Sequence, residues 1–148
     1  MVITRNRVEH RITVSQRAKV DKILEIFNMK ECKPVKTPFG TVSDSEDQEP
    51  GKFPYREAVD HLMHIANMTR PDIMYAVGIA ARAVSNFNSS HVKLVKRIMR
   101  YLKGTCNYGI CYQARPGDSP VDSPVDVYTD ADFAGDPDDR KSTSGGII

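Results

Sequence analysis

Residues 91–112 read HVKLVKRIMRYLKGTCNYGICY, and the hydrophobic period changes inside this stretch. Val92, Val95, Met99 and Leu102 recur at spacings of three, four and three, the signature of one helical face. The spacing predicts a helix over residues 91–103, with Gly104 as the residue just past its end. Residues 108–112 then read as a strand. A helical middle followed by a strand-rich end predicts an α+β fold built from two substructures.

The same helix carries a second stripe. Lys93, Lys96, Arg100 and Lys103 lie beside the apolar face, Arg97 joins them, and no acid interrupts them. Such a helix can bury one side and offer the other to phosphates, each contact adding affinity through counterion release. The pattern equally describes a solvated cationic face. Tyr101 stands at core spacing.

Working toward the N-terminus, residues 71–84 (PDIMYAVGIAARAV) predict a helix opened by Pro71, with Ile73, Val77, Ala80, Ala81 and Val84 on its apolar face. Residues 54–67 predict another, with Pro54 in its first turn and Ala58, Val59, Leu62, Met63, Ile65 and Ala66 facing inward. The stretch GTVSDSEDQEPGK, residues 40–52, has too little apolar surface to offset its ordering entropy and reads as an acidic loop or linker. Before it, SQRAKVDKILEIFNM places Val20, Ile23, Leu24 and Phe27 on one helical face, with Ser15 as the N-cap and Pro34 and Pro38 barring continuation. Residues 1–15 alternate loosely, with Arg5, Asn6 and Arg7 between apolar arms, and predict a short hairpin.

Beyond the central helix, residues 125–129 predict a strand and residues 144–148 another. Between them five aspartates crowd together in YTDADFAGDPDDRKSTSG. An EF-hand loop fails here: Asp130, Asp132 and Gly135 fit its positions one, three and six, but Ala134 and Lys141 occupy positions five and twelve. Two-metal phosphodiester hydrolysis is the other carboxylate chemistry, and a rigid strand running into an aspartate suits its shared ligand. That singles out Asp130. Asp136, Asp138 and Asp139 lie beside Arg140 and Lys141 and read as turn or surface acids.

The composition sets bounds. The chain of 148 residues has 40% hydrophobic and 27% charged residues, an ordinary globular balance. No apolar run suits a membrane span, and residues 1–10 contain no secretory core. Three cysteines, none in a CxxC, point to a reducing compartment and away from zinc. The net charge of +2 is segregated: residues 1–40 carry +5, residues 41–53 −3, residues 54–103 +5 and residues 104–148 −5. A basic body with an acidic end fits a polyanion-binding surface beside a carboxylate cluster.

Five segments in order carry a family resemblance: ITRNR with RITVSQ, then VDKILEIFNMKECKPVKTP, PYREAVDHLMHIANMTRPDIMYAV, HVKLVKRIMRYLKGT and YTDADFAGDPDDRKSTSG. Over nearly its whole length the chain resembles the Pol polyprotein of copia-type LTR retrotransposons. The resemblance implies a hairpin and thumb helix of reverse transcriptase over residues 1–39, an acidic linker over 40–53, thumb and connection helices over 54–104, and the truncated start of a ribonuclease H-like sheet over 105–148. It implies RNA-directed DNA synthesis coupled to cleavage of the RNA–DNA hybrid, with Mg²⁺ as cofactor. Asp130 matches the first metal-binding, catalytic aspartate, STSGGII the second strand, and Phe133 an aromatic plug that is Trp in most of the family. The remaining carboxylates are expected beyond Ile148 and the polymerase YxDD before Met1, so the chain is expected to be catalytically incomplete alone. The implied partners are RNA–DNA hybrid or duplex and the remainder of the polyprotein, with no membrane, in the cytoplasm (within virus-like particles for the intact family) or nucleus.

Overall fold

The computed structural model describes residues 1–40, 52–114, 126–135 and 140–147. The chain divides into two compact units, Met1–Gln113 and Ala114–Ile148. It is a mixed α and β protein, as the change of period predicts.

In the first unit, strands β1 (Val2–Asn6) and β2 (Arg11–Ser15) form an antiparallel hairpin, with Val2 opposite Ser15 and Asn6 opposite Arg11. The Asn6 Oδ1 accepts from the amides of Val8 and Glu9, so this side chain closes the turn. Strand β3 (Gly109–Gln113) adds to the far edge of β2, giving the order β1-β2-β3. A Cβ on Gly109 would lie 2.2 Å from the Val14 carbonyl, so this crossing admits only glycine. The expected grouping of 105–113 with the strands that follow therefore differs from the hydrogen bonding, which joins β3 to the N-terminal hairpin. The division falls after Gln113.

Helix α1 (Arg17–Ile26) follows β2 directly. Ser15 is not its N-cap, because that residue belongs to the sheet, paired with Val2 and Gly109; Gln16 takes the position without a side-chain cap. Nor do the prolines end it. Asn28 adopts a left-handed φ of 54°, the Asn28 amide donates to Glu25 and the Met29 amide to Leu24, a Schellman stop several residues before Pro34.

Helices α2 (Tyr55–Thr69), α3 (Met74–Arg82, preceded by a 3₁₀ turn Pro71–Ile73) and α4 (Ser89–Gly104) complete the unit. One core joins all four helices. It contains the predicted Val20, Ile23, Leu24 and Phe27 of α1, Ala58, Val59, Leu62, Ile65 and Ala66 of α2, Val77 and Ala80 of α3, and the apolar stripe of α4. No residue of β1, β2 or β3 is buried. Among the described residues, no helix is long and apolar enough to cross a membrane.

Tyr55 pins two helices. Its side chain is buried at the start of α2, its hydroxyl donates to the Ala80 carbonyl at 2.7 Å, and its ring stacks on Phe87 with centroids 4.4 Å apart. Burial pushes its phenol up to about 12. Tyr55→Phe leaves a buried carbonyl without that donor and is expected to cost about 1 kcal/mol in chemical denaturation. Because folding favours the neutral phenol, its contribution is full below the unfolded value near pH 10 and is lost as pH rises toward 12. The alkaline decline in stability should be shallower in Tyr55→Phe, and an identical decline would contradict this assignment.

Candidate nucleic-acid interface and carboxylate strand

Helix α4 begins two residues earlier than its apolar period indicates. The Asn88 side chain accepts from the His91 amide at 3.2 Å, and His91 Nδ1 accepts from the Asn88 amide at 3.1 Å, a reciprocal capping box. Val92, Val95, Met99 and Leu102 are buried as predicted, joined by Leu94, Ile98 and Tyr101. Gly104 is not the residue past the end: it lies in the last turn, where a Cβ would meet Pro34 Cβ at 3.1 Å, and Thr105 is the C-cap.

The structure brings the predicted basic stripe against another part of the chain. Residues 30–40, which contain no helix or strand, lie along α4 as a strap. Arg97 Nη2 donates to Thr37 Oγ1 at 2.8 Å, Arg100 Nε to the Lys33 carbonyl at 2.7 Å, and Lys103 Nζ to the Lys30 carbonyl. The Arg97 guanidinium lies so close to Gly40 that a Cβ there would be 2.8 Å from Nη2. Lys96 is exposed, with Nζ 5.4 Å from the Phe53 ring centroid. Lys93 is half-buried. Of the predicted phosphate contacts, Arg97, Arg100 and Lys103 thus donate to the protein itself.

The most demanding electrostatic arrangement was not singled out by sequence reasoning. Arg70 is only 2% exposed. Its Nε and Nη2 donate to the two Asp72 carboxylate oxygens at 2.9 and 2.7 Å, and Nη1 and Nη2 to the Thr105 carbonyl and hydroxyl at 2.9 and 2.6 Å. The rings of Tyr101 and Tyr108 flank the guanidinium, each centroid 5.5 Å from Cζ, and the Tyr101 hydroxyl donates to Asp72 at 2.8 Å. Burial raises the Asp72 carboxyl, but hydrogen bonds from Arg70 and Tyr101 and the Arg70 charge outweigh it and leave the group below its ordinary value. Burial and the neighbouring carboxylate push the Tyr101 phenol up. The available signal was an Arg-Pro-Asp between two helices, where a proline start explains the Pro but not its charged neighbours.

The carboxylate strand belongs to the second unit. Strands β4 (Tyr128–Ala131) and β5 (Ser144–Ile147) pair antiparallel, with Asp130 opposite Gly145. The expected strand over 125–129 ending at Asp130 is shifted: Asp130 lies within β4, and residue 125 falls outside the described residues. The predicted strand over 144–148 is present as β5, paired with β4 in a two-stranded sheet. Asp130 Oδ1 accepts from the Ala131 amide at 2.9 Å. Asp132 closes the hairpin, its amide donating to the Thr143 carbonyl at 3.0 Å while its carboxylate accepts from the Thr143 amide. Phe133 is 95% exposed, so the expected plug does not form among the described residues. Asp136, Asp138 and Asp139, like most of the acidic linker, lie outside them.

A two-metal magnesium site needs several converging carboxylates. Among the described residues no three His, Cys, Asp or Glu side chains converge, and Asp132 is committed to Thr143. These residues do not fit the pair of ions, and no chemical step is assigned through them.

The Arg70 cluster yields a prediction. Arg70 is buried and its partner Asp72 lies partly exposed, so Arg70→Met loses the hydrogen bonds to Asp72 and Thr105 and should lower the urea midpoint more than substituting exposed Lys22. The depressed Asp72 carboxyl contributes stability above its unfolded value near pH 4 that is lost as pH falls through the folded one. Asp72→Asn should flatten the acid limb of the stability profile.

The chain is 40% identical, over 98% of its length, to the retrovirus-related Pol polyprotein from transposon TNT 1-94 of Nicotiana tabacum, covering 11% of that protein. It is 36% identical over 99% of its length to the corresponding polyprotein from transposon RE1 of Arabidopsis thaliana, covering 10%. An uncharacterised mitochondrial protein of Arabidopsis thaliana is 33% identical over 89% of the chain, which covers 54% of it. No family model matches the chain, and no solved structure does. Similarity sustained from end to end, against a tenth of each polyprotein, shows that the chain belongs to the Pol polyproteins of copia-type retrotransposons.

Proposed function

We propose that the chain is the stretch of a transposon Pol polyprotein where the end of a reverse transcriptase meets the start of a ribonuclease H. In this reading it acts on RNA–DNA hybrid as part of the longer polyprotein, in the cytoplasm or nucleus. The observation that carries it is the 40% identity to a Pol polyprotein over 98% of the chain. The architecture is compatible: a helical unit with a cationic face precedes an antiparallel hairpin carrying Asp130.

Asp130 would be one ligand of the magnesium pair in the intact polyprotein, with the other carboxylates supplied from outside the described residues. In this reading those carboxylates belong to the rest of the polyprotein, and hybrid cleavage needs them together with Asp130. A second reading, a non-catalytic nucleic-acid-binding module, is favoured by one observation: Met1–Gln113 forms a compact unit with its own core.

Labelled RNA–DNA hybrid incubated with the chain and Mg²⁺ should be hydrolysed only at background rate, unchanged by Asp130→Asn. Hydrolysis above background that Asp130→Asn abolishes would overturn the need for those further carboxylates. Salt-dependent hybrid binding without cleavage is the outcome that both readings require.

A further inference from the structure

Three of the α4 cations that the sequence brings forward are turned into the protein, and Lys96 stays at the surface. Arg97, Arg100 and Lys103 direct N–H groups into the strap, and the Pro34 ring seats against Gly104. The strap thereby runs antiparallel to the helix, Lys30 at Lys103, Lys33 at Arg100 and Thr37 at Arg97. With the carbonyls of Lys30 and Lys33 bound to α4, the side chains of Lys33 and Lys36 stand exposed. Among the described residues neither ammonium has an ion-pair partner, whereas Lys30 is paired with Glu25 at 2.9 Å. Glu31 is the one acid on the strap and is exposed. One helical turn from Arg100, Lys96 adds a third exposed ammonium.

We infer that Lys33 and Lys36 of the strap, with Lys96 of α4, contact the phosphates of a bound RNA–DNA hybrid, while Arg97, Arg100 and Lys103 are positioning residues that hold the strap in register. The inference rests on the nucleic-acid reading above; of the cations the sequence pattern suggests it keeps Lys96 as a phosphate contact and adds Lys33 and Lys36 of the strap. The chemistry is consistent: an ammonium on a flexible stem serves as a point charge for backbone phosphate, whereas the planar Arg97 and Arg100 groups make fixed directional bonds to the strap.

The test is hybrid binding by the full chain, followed by fluorescence anisotropy across a salt series. Lys33→Ala with Lys36→Ala touches only exposed side chains and should leave the circular dichroism spectrum unchanged. It should reduce the slope of log affinity against log salt by about 1.8, roughly 0.9 for each lost phosphate contact. Arg100→Ala should weaken binding and accelerate tryptic cleavage after Lys36, and Arg100→Lys should restore part of both. If the unaltered chain binds and the double variant keeps its affinity and slope, the inference falls and the nucleic-acid reading stands. Absence of salt-dependent binding by the unaltered chain overturns both.

Discussion

Arg70 carries its charge into the interior of the helical unit, where an unpaired guanidinium would cost several kcal/mol of desolvation. The fold tolerates it because Asp72 and Thr105 accept its hydrogen bonds and two tyrosine rings face it. Those partners come from three places: the turn between α2 and α3, the last turn of α4, and the approach to β3. Thr105 also caps α4, its hydroxyl donating to the Tyr101 carbonyl at 2.8 Å. The point where the chain leaves α4 for the sheet is therefore fixed by the same group that orients α3.

The strap repeats this chemistry nearer the surface. A segment with no helix or strand of its own leaves carbonyls that need donors when it packs against a helix. Arg97, Arg100 and Lys103 provide donors to the strap backbone and to Thr37, which gives a physical reason for a basic stripe without acids. An acid at any of those positions would remove the donor and set a second acceptor against the strap. The positive charge remains in place, and the exposed lysines of the strap extend it outward.

The second unit contrasts with the first. Its described elements are two four-residue strands with every residue exposed, held by ladder hydrogen bonds and the Asp132–Thr143 closure. A two-stranded hairpin of this size is marginal by itself in water. The chain amounts to about a tenth of its polyprotein relatives.

Much of the fold was legible in the sequence because it rests on short-range periodicity. The stripe Val92, Val95, Met99 and Leu102 and the face Val20, Ile23, Leu24 and Phe27 are fixed by 3.6-residue geometry, and both are buried as that geometry requires. The change of period after Gly104 likewise marked the onset of β structure. Strand partnership was not legible: β3 pairs with a hairpin about a hundred residues earlier, and no local pattern encodes that register. Helix ends were misjudged where tertiary contacts or backbone conformation decide them, with Ser15 held in the sheet and Asn28 stopping α1 before any proline. Of the candidate site, the sequence determined which residues carry charge, and the family to which they belong. Which charges face inward was settled by tertiary structure alone, since Arg70 and the α4 cations find their acceptors on segments distant in the chain, and a side chain's partner depends on what packs beside it.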